Sequence, residues 1–182
     1  MLLGALLAGL VFSPDLRAQT PLTAETIAER DRLLEALRTA PTEAAGQGTA
    51  YQVWQFWMHQ APDADSAAMM EQVLERRRQY DLAGAMEHLD RLVAHAPDWS
   101  EAWNQRATVL YFQEDYDRSL EDVEQVLALE PKHFGALAGK AVMLMRQGRI
   151  TLGQQALREA LAIHPWLSER RMLLPVPPGT DL

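Results

Sequence analysis

Cysteine is absent from all 182 residues. That one absence removes thiol nucleophiles, disulfide frameworks, zinc knuckles, CxxC redox centres and lipobox acylation. Basic charge is scarce: 17 Lys and Arg stand against 25 Asp and Glu, a formal charge of −8. A nucleic-acid binder needs a Lys/Arg-rich face to neutralise phosphates, which argues against that class. Recognisable catalytic strings are missing too, with no HExxH, GxSxG, GxGxxG or P-loop pattern. Gly46-Gln47-Gly48 lacks a third glycine and follows no strand, so it reads as a turn.

The chain is nonetheless 48% hydrophobic, which argues against intrinsic disorder and for one domain, at most two small ones. Residues 2–12, LLGALLAGLVF, form an apolar run of eleven. A membrane-spanning helix needs about 20 such residues, so this run is too short to span. Pro14 breaks it, and Leu16 and Ala18 suit positions −3 and −1 of a signal-peptidase site, although no Lys or Arg precedes the run. Residues 1–18 are therefore expected to be a signal peptide cut after Ala18, with a periplasmic or secreted product and no lipid anchor.

A period runs through the remainder. Pro97, Pro131 and Pro165 are spaced 34 residues apart. Twelve residues before each proline stands a small residue: Ala85, Ser119 and Gly153. Eight before come Leu89, Val123 and Leu157, and five before come Leu92, Val126 and Ala160. These steps of four and three trace one stripe of a helix. Trp103 and Leu137, Ala107 and Ala141, and Leu110 and Leu144 share the same spacing and trace a second helix. Gly in a helix interior costs about 1 kcal/mol relative to Ala, so Gly153 is expected where two helices cross closely. Asp81 and Asp115 stand where they can cap second helices, and Asp98-Trp99-Ser100-Glu101 resembles a capping box.

A unit of helix, turn, helix and proline at this length resembles the tetratricopeptide repeat. Residues 100–133 carry the pattern best, with Trp103, Ala107, Leu110, Tyr116, Ser119, Val123 and Pro131. The resemblance implies an all-α, right-handed superhelix with repeats at 66–99, 100–133 and 134–167. Counting back from Pro62 finds Ala50, Trp54 and Trp57 at the same offsets. Residues 19–65 are therefore expected to be a degenerate helical hairpin, with helices near 23–39 and 49–60, capping the N-terminal side. Residues 168–182 read as a short capping helix and a Pro-rich tail. Leu161, Leu167, Leu173 and Leu174 are expected to leave an apolar C-terminal end.

The leader and repeats together resemble small secreted bacterial proteins of this kind, which implies an interaction role and no established reaction. The family lines its concave groove with positions 2, 5, 9, 12 and 13 of each first helix. By register these are Met70, Leu74, Arg77 and Arg78, then Glu101, Asn104, Thr108, Tyr111 and Phe112, then Ala138, Val142, Met145 and Arg146. Tyr and Arg are frequent hot-spot residues, and Met adapts to varied ligands. The family's clamp for chaperone carboxylates is absent, since Met70, Leu74, Gln105, Gly135 and Gly139 fill its places.

No cofactor or metal site is expected. His88 and His95 are seven residues apart, about 10 Å along a helix, too far to chelate one ion. The acidic run from Glu114 to Glu124 lacks calcium-loop spacing and reads as a solvated face. The expected role is a non-catalytic scaffold that holds a peptide or helix of another protein in the groove, with neither nucleic acid nor membrane as partner. The alternative is an assembly subunit that associates through its apolar C-terminal end.

Overall fold

In the computed structural model the described residues are 23–175, and all regular structure there is helical. The expected signal peptide and the last residues of the tail lie outside them. The order is α1 (Ala24–Arg38), α2 (Glu43–Met58), α3 (Ala64–Arg78), α4 (Leu82–His95), α5 (Ser100–Phe112), α6 (Tyr116–Leu129), α7 (Phe134–Arg146) and α8 (Ile150–Ile163). A short 3-10 helix, Ser168–Met172, follows. Helices α3 and α4, α5 and α6, and α7 and α8 pack as antiparallel pairs, and successive pairs stack through α4 on α5 and α6 on α7. Among the described residues no helix is long and apolar enough to cross a membrane.

The period has a backbone counterpart. Among the described residues Tyr80, Glu114 and Gly148, each 34 apart, are those with positive φ, at 57°, 62° and 77°. Each ends the first helix of its pair in the left-handed conformation that reverses the chain. The next N–H, of Asp81, Asp115 or Arg149, then donates to the carbonyl of Arg76, Leu110 or Leu144. Asp81 and Asp115 cap the second helices as expected, accepting from the N–H groups of Gly84 and Arg118. Small residues mark the crossings. The Ser119 hydroxyl donates to the Ala107 carbonyl at 2.7 Å. A Cβ on Gly153 would lie 2.5 Å from Met145 Cγ and 2.8 Å from the Ala141 carbonyl oxygen.

One expectation fails at the caps. Trp99 precedes α5 and its side chain makes no capping bond, so the expected capping box does not form. Its Glu101 is drawn into a buried network instead. Thr23 caps α1 by accepting from the Thr26 N–H at 3.1 Å.

The N-terminal hairpin departs furthest from its expected place. It does not extend the stack beyond α3. Helix α2 lies across the turns that join one helix pair to the next. The Trp99 indole N–H donates to the Trp57 carbonyl at 2.9 Å, and the Trp57 ring stacks on His133 at 3.9 Å. At the other end of α2, Gly46 meets Trp166, whose indole N–H donates to the Ala40 carbonyl at 2.9 Å. Leu33, Leu34, Leu37, Val53 and Trp57 share one core with Phe134, Leu137, Ala160 and Leu167. Burial of this apolar face against the last helix pair, rather than against α3, fixes the hairpin. Leu167 is buried, and Leu161 packs against the same core, so the expected apolar end is reduced to Met172, Leu173 and Leu174.

Gly46 and Gly48 are not in a turn. Helix α2 begins at Glu43, capped by Thr42, and runs through both. A Cβ on Gly46 would stand 2.5 Å from Trp166 Cδ1, whereas nothing lies within 4 Å of one on Gly48. The two glycines should therefore respond oppositely to alanine. Gly48→Ala gains helix propensity and stabilises by about 1 kcal/mol. Gly46→Ala gains the same but overpacks against the indole, at a cost of about 1–3 kcal/mol. Urea unfolding of the two variants reads the difference; equal shifts would refute the close helix–indole contact.

Candidate functional site

Of the thirteen residues that register places in a groove, Glu101 and Ala138 are buried, and the structure divides the other eleven. Met70 is 1% exposed and packs in the core with Val73, Leu89 and Leu92. It offers no surface to a partner, because Met58 and Ala61 at the end of the hairpin pack on the same cluster. Leu74 is half-buried against that core. Arg77 is partly buried and its guanidinium donates to Gln105 Oε1, tying α3 to α5. Burial pulls its pKa below the ordinary arginine range, and the Glu101 carboxylate opposes that. Arg78 is exposed and paired with Glu75 on its own helix.

The other seven converge. Asn104, Thr108, Tyr111 and Phe112 on α5 face Val142, Met145 and Arg146 on α7 around two adjoining cavities. The inner one, about 310 Å³, is floored by Thr108, Gly139 and Val142. The outer one, about 500 Å³, lies between Tyr111, Met145 and the 3-10 helix. Tyr111, Val142 and Glu169 line both, so the two form one cleft. Phe112 stands 57% exposed at its rim. The Arg146 guanidinium sits 5.6 Å from the Tyr111 ring centroid, a cation–π arrangement, and donates to the Tyr116 hydroxyl at 3.4 Å.

Sequence reasoning missed the wall that closes this cleft. Ser168, Glu169 and Met172 come from the 3-10 helix, which turns back over α7. Gln154 holds it there: its amide N–H donates to the Met172 carbonyl at 2.9 Å, and its Oε1 accepts from Leu174 N–H at 2.7 Å. A five-residue element with no repeat counterpart carries no periodic signal.

Beneath the cleft lies a hydrogen-bonded carboxylate–imidazole pair with no access to solvent. Glu101, at groove position 2, is 0% exposed, and His133 is 2% exposed. His133 Nδ1 accepts from the Ala136 N–H at 3.1 Å, where the ring caps α7. With that nitrogen an acceptor, the proton of the neutral ring is on Nε2, which donates to Glu101 Oε2 at 3.1 Å. Glu101 Oε1 accepts from the Trp54 indole, the Asn104 amide and the Gln105 amide at 3.3, 3.0 and 2.6 Å. The far-apart partners Trp54 and His133 show that this network fastens α2 to α5 and α7.

His164 is the second buried imidazole. It packs edge-on against Phe134 at 5.1 Å, and its Nδ1 has no hydrogen-bond partner. Burial pushes its pKa below the ordinary 6.5; Glu169 opposes the shift and Arg170 adds to it. The unfolded chain then binds the proton more readily than the folded one, so stability falls as pH drops below 6.5 and levels off under the folded value. His164→Leu should flatten that part of the profile in thermal melts between pH 7.5 and 5; an unchanged slope would assign it to other groups.

Among the described residues no group of three or more His, Asp or Glu is placed to hold a metal ion. A family model for the tetratricopeptide repeat matches residues 100–133. A TPR repeat-containing protein of Rhizobium etli is 42% identical over 81 residues, which are 44% of this chain and 40% of that protein. The chain thus matches less than half the length of that relative. Among solved structures, a point mutant of MamA and MamA MSR-1 both superpose with a TM-score of 0.50 at 18% identity. The coverage is 78% of both chains for the first and 79% for the second. These structures share the superhelical fold of stacked helix pairs.

Proposed function

We propose that the chain is a tetratricopeptide repeat protein, a family whose members mediate protein–protein interactions, and that it is a non-catalytic scaffold holding a segment of a partner protein in the cleft between α5, α7 and the 3-10 helix. The observation that carries this reading is the cleft itself. It is concave and mostly apolar, and it places Tyr111, Phe112 and Arg146 at its mouth. These are the residue types that dominate binding energy at protein interfaces. The apolar leader at 2–12 supports export, so the partner is sought in the periplasm.

A photocrosslinking residue in place of Phe112 should capture a discrete partner in native cells, and one in place of exposed Leu152 should not. Adding Tyr111→Ala and Arg146→Ala should reduce capture about tenfold or more. Equal capture at both positions, or capture indifferent to the double substitution, overturns the reading. A second reading, assembly through the C-terminal end, is favoured by the exposure of Met172, Leu173 and Leu174 at 41, 40 and 52%. Sedimentation discriminates, since a strict monomer at high concentration excludes self-assembly.

A further inference from the structure

Resting on that reading, we infer that the cleft takes a short extended peptide segment in which a cationic side chain is flanked by apolar ones, the cation meeting Glu169.

The length limit comes from the hairpin. In an open superhelix the first helices of all pairs line one continuous trough. Here Glu101 is covered entirely, and Phe134, Leu137 and Ala138 share a core with α1 and α2. The trough is closed at that edge, so a long helix has no path along it. The cleft's lining on α7 runs from Gly135 to Arg146, about 16 Å at 1.5 Å per residue. That is room for about five extended residues. Gly139 invites close approach: nothing lies within 4 Å of where its Cβ would be.

The charge comes from Glu169. Its carboxylate lines both cavities, and among the described residues its hydrogen bond comes from the neighbouring Ser168 hydroxyl at 3.0 Å. The two nearby arginines are engaged elsewhere. Arg146 lies over Tyr111, and Arg170 pairs with Glu43 at 2.9 Å. Glu169 thus faces the cleft without a cation, on a chain of net charge −8. Val142, Met172 and Leu167 supply apolar walls beside it. A lysine or arginine would find a carboxylate in a partly desolvated cleft, where a charge-assisted hydrogen bond is strong. An acidic side chain would meet repulsion there.

The test is a displayed library of random heptapeptides, selected in parallel on the wild type, Glu169→Lys and Gly139→Leu. Glu169 is half-exposed on a peripheral turn, and Gly139→Leu points into open space on a helix, so both variants should fold; melting curves check this. The wild type should enrich peptides with Lys or Arg beside apolar residues. Glu169→Lys should weaken their binding about tenfold or more in fluorescence anisotropy and enrich Asp or Glu instead. Gly139→Leu should lose them. Peptides that still bind Gly139→Leu overturn the cleft reading itself. Peptides lost in Gly139→Leu but indifferent to the charge at position 169 leave that reading standing and refute the inference. Recovery of no peptide on the wild type also refutes it.

Discussion

Trp57→Ala should destabilise the chain by about 3–5 kcal/mol, the range for emptying a buried large aromatic site. Trp57 is 2% exposed and sits where the hairpin meets the turn between the second and third helix pairs. Its ring stacks on His133 at 3.9 Å and lies 5.4 Å from Phe134. Alanine removes both aromatic contacts and opens a cavity at the join. The damage should be uneven. Amide exchange should rise most in α1 and α2, because α3 to α8 keep their own pair-to-pair packing. Trp57→Phe should cost clearly less. It retains a ring against His133 and removes an indole N–H that is buried with no partner. Urea titration with hydrogen exchange reads both quantities. A uniform loss of protection across all eight helices would show that hairpin and stack unfold as one unit.

The same residue marks the limit of what the sequence discloses. The 34-residue spacing of Pro97, Pro131 and Pro165 is local, because each helix pair repeats the same contacts with its neighbour. It therefore reveals the pairs, the small-residue crossings and the Asp81 and Asp115 caps. Trp54 and Trp57 carry the same offsets from Pro62, and by that logic they belong to one more stacked pair. The hairpin obeys a different constraint, burial against Phe134, Leu137 and Leu167, which are remote in sequence. A spacing rule has no access to such a contact. The groove shows the same division. Register brings Thr108, Tyr111, Val142 and Met145 to one cleft because they lie on facing helices. It also assigns Glu101 and Met70 there, since register is blind to a hairpin that covers them. Glu169 sits on an element outside the period, so no spacing points to it.

Glu101→Ala is expected to cost about 3–5 kcal/mol, because it strands several donors around a buried carboxylate at about 1–3 kcal/mol each. The magnitude follows from what is stranded. Four donors converge on this carboxylate: the Trp54 indole, the Asn104 and Gln105 amides, and His133 Nε2–H. With alanine each is left buried or half-buried without its acceptor, and water has little access to compensate. Arg77, partly buried and held by Gln105, loses the carboxylate that opposes its desolvation. Glu101→Gln separates shape from charge. It keeps the volume and one carbonyl acceptor but turns an NH2 group toward donors, so it should fall between wild type and alanine. Equal losses for Gln and Ala would mean that charge, not shape, holds the site. A loss below about 1 kcal/mol for Ala would mean that the network relaxes around the gap. The consequence for binding is separable. Asn104 borders the cleft and donates to Glu101, so loosening the carboxylate should weaken peptide capture even at temperatures where Glu101→Gln remains folded. Unchanged affinity in a folded Glu101→Gln variant would confine the network to fastening the hairpin.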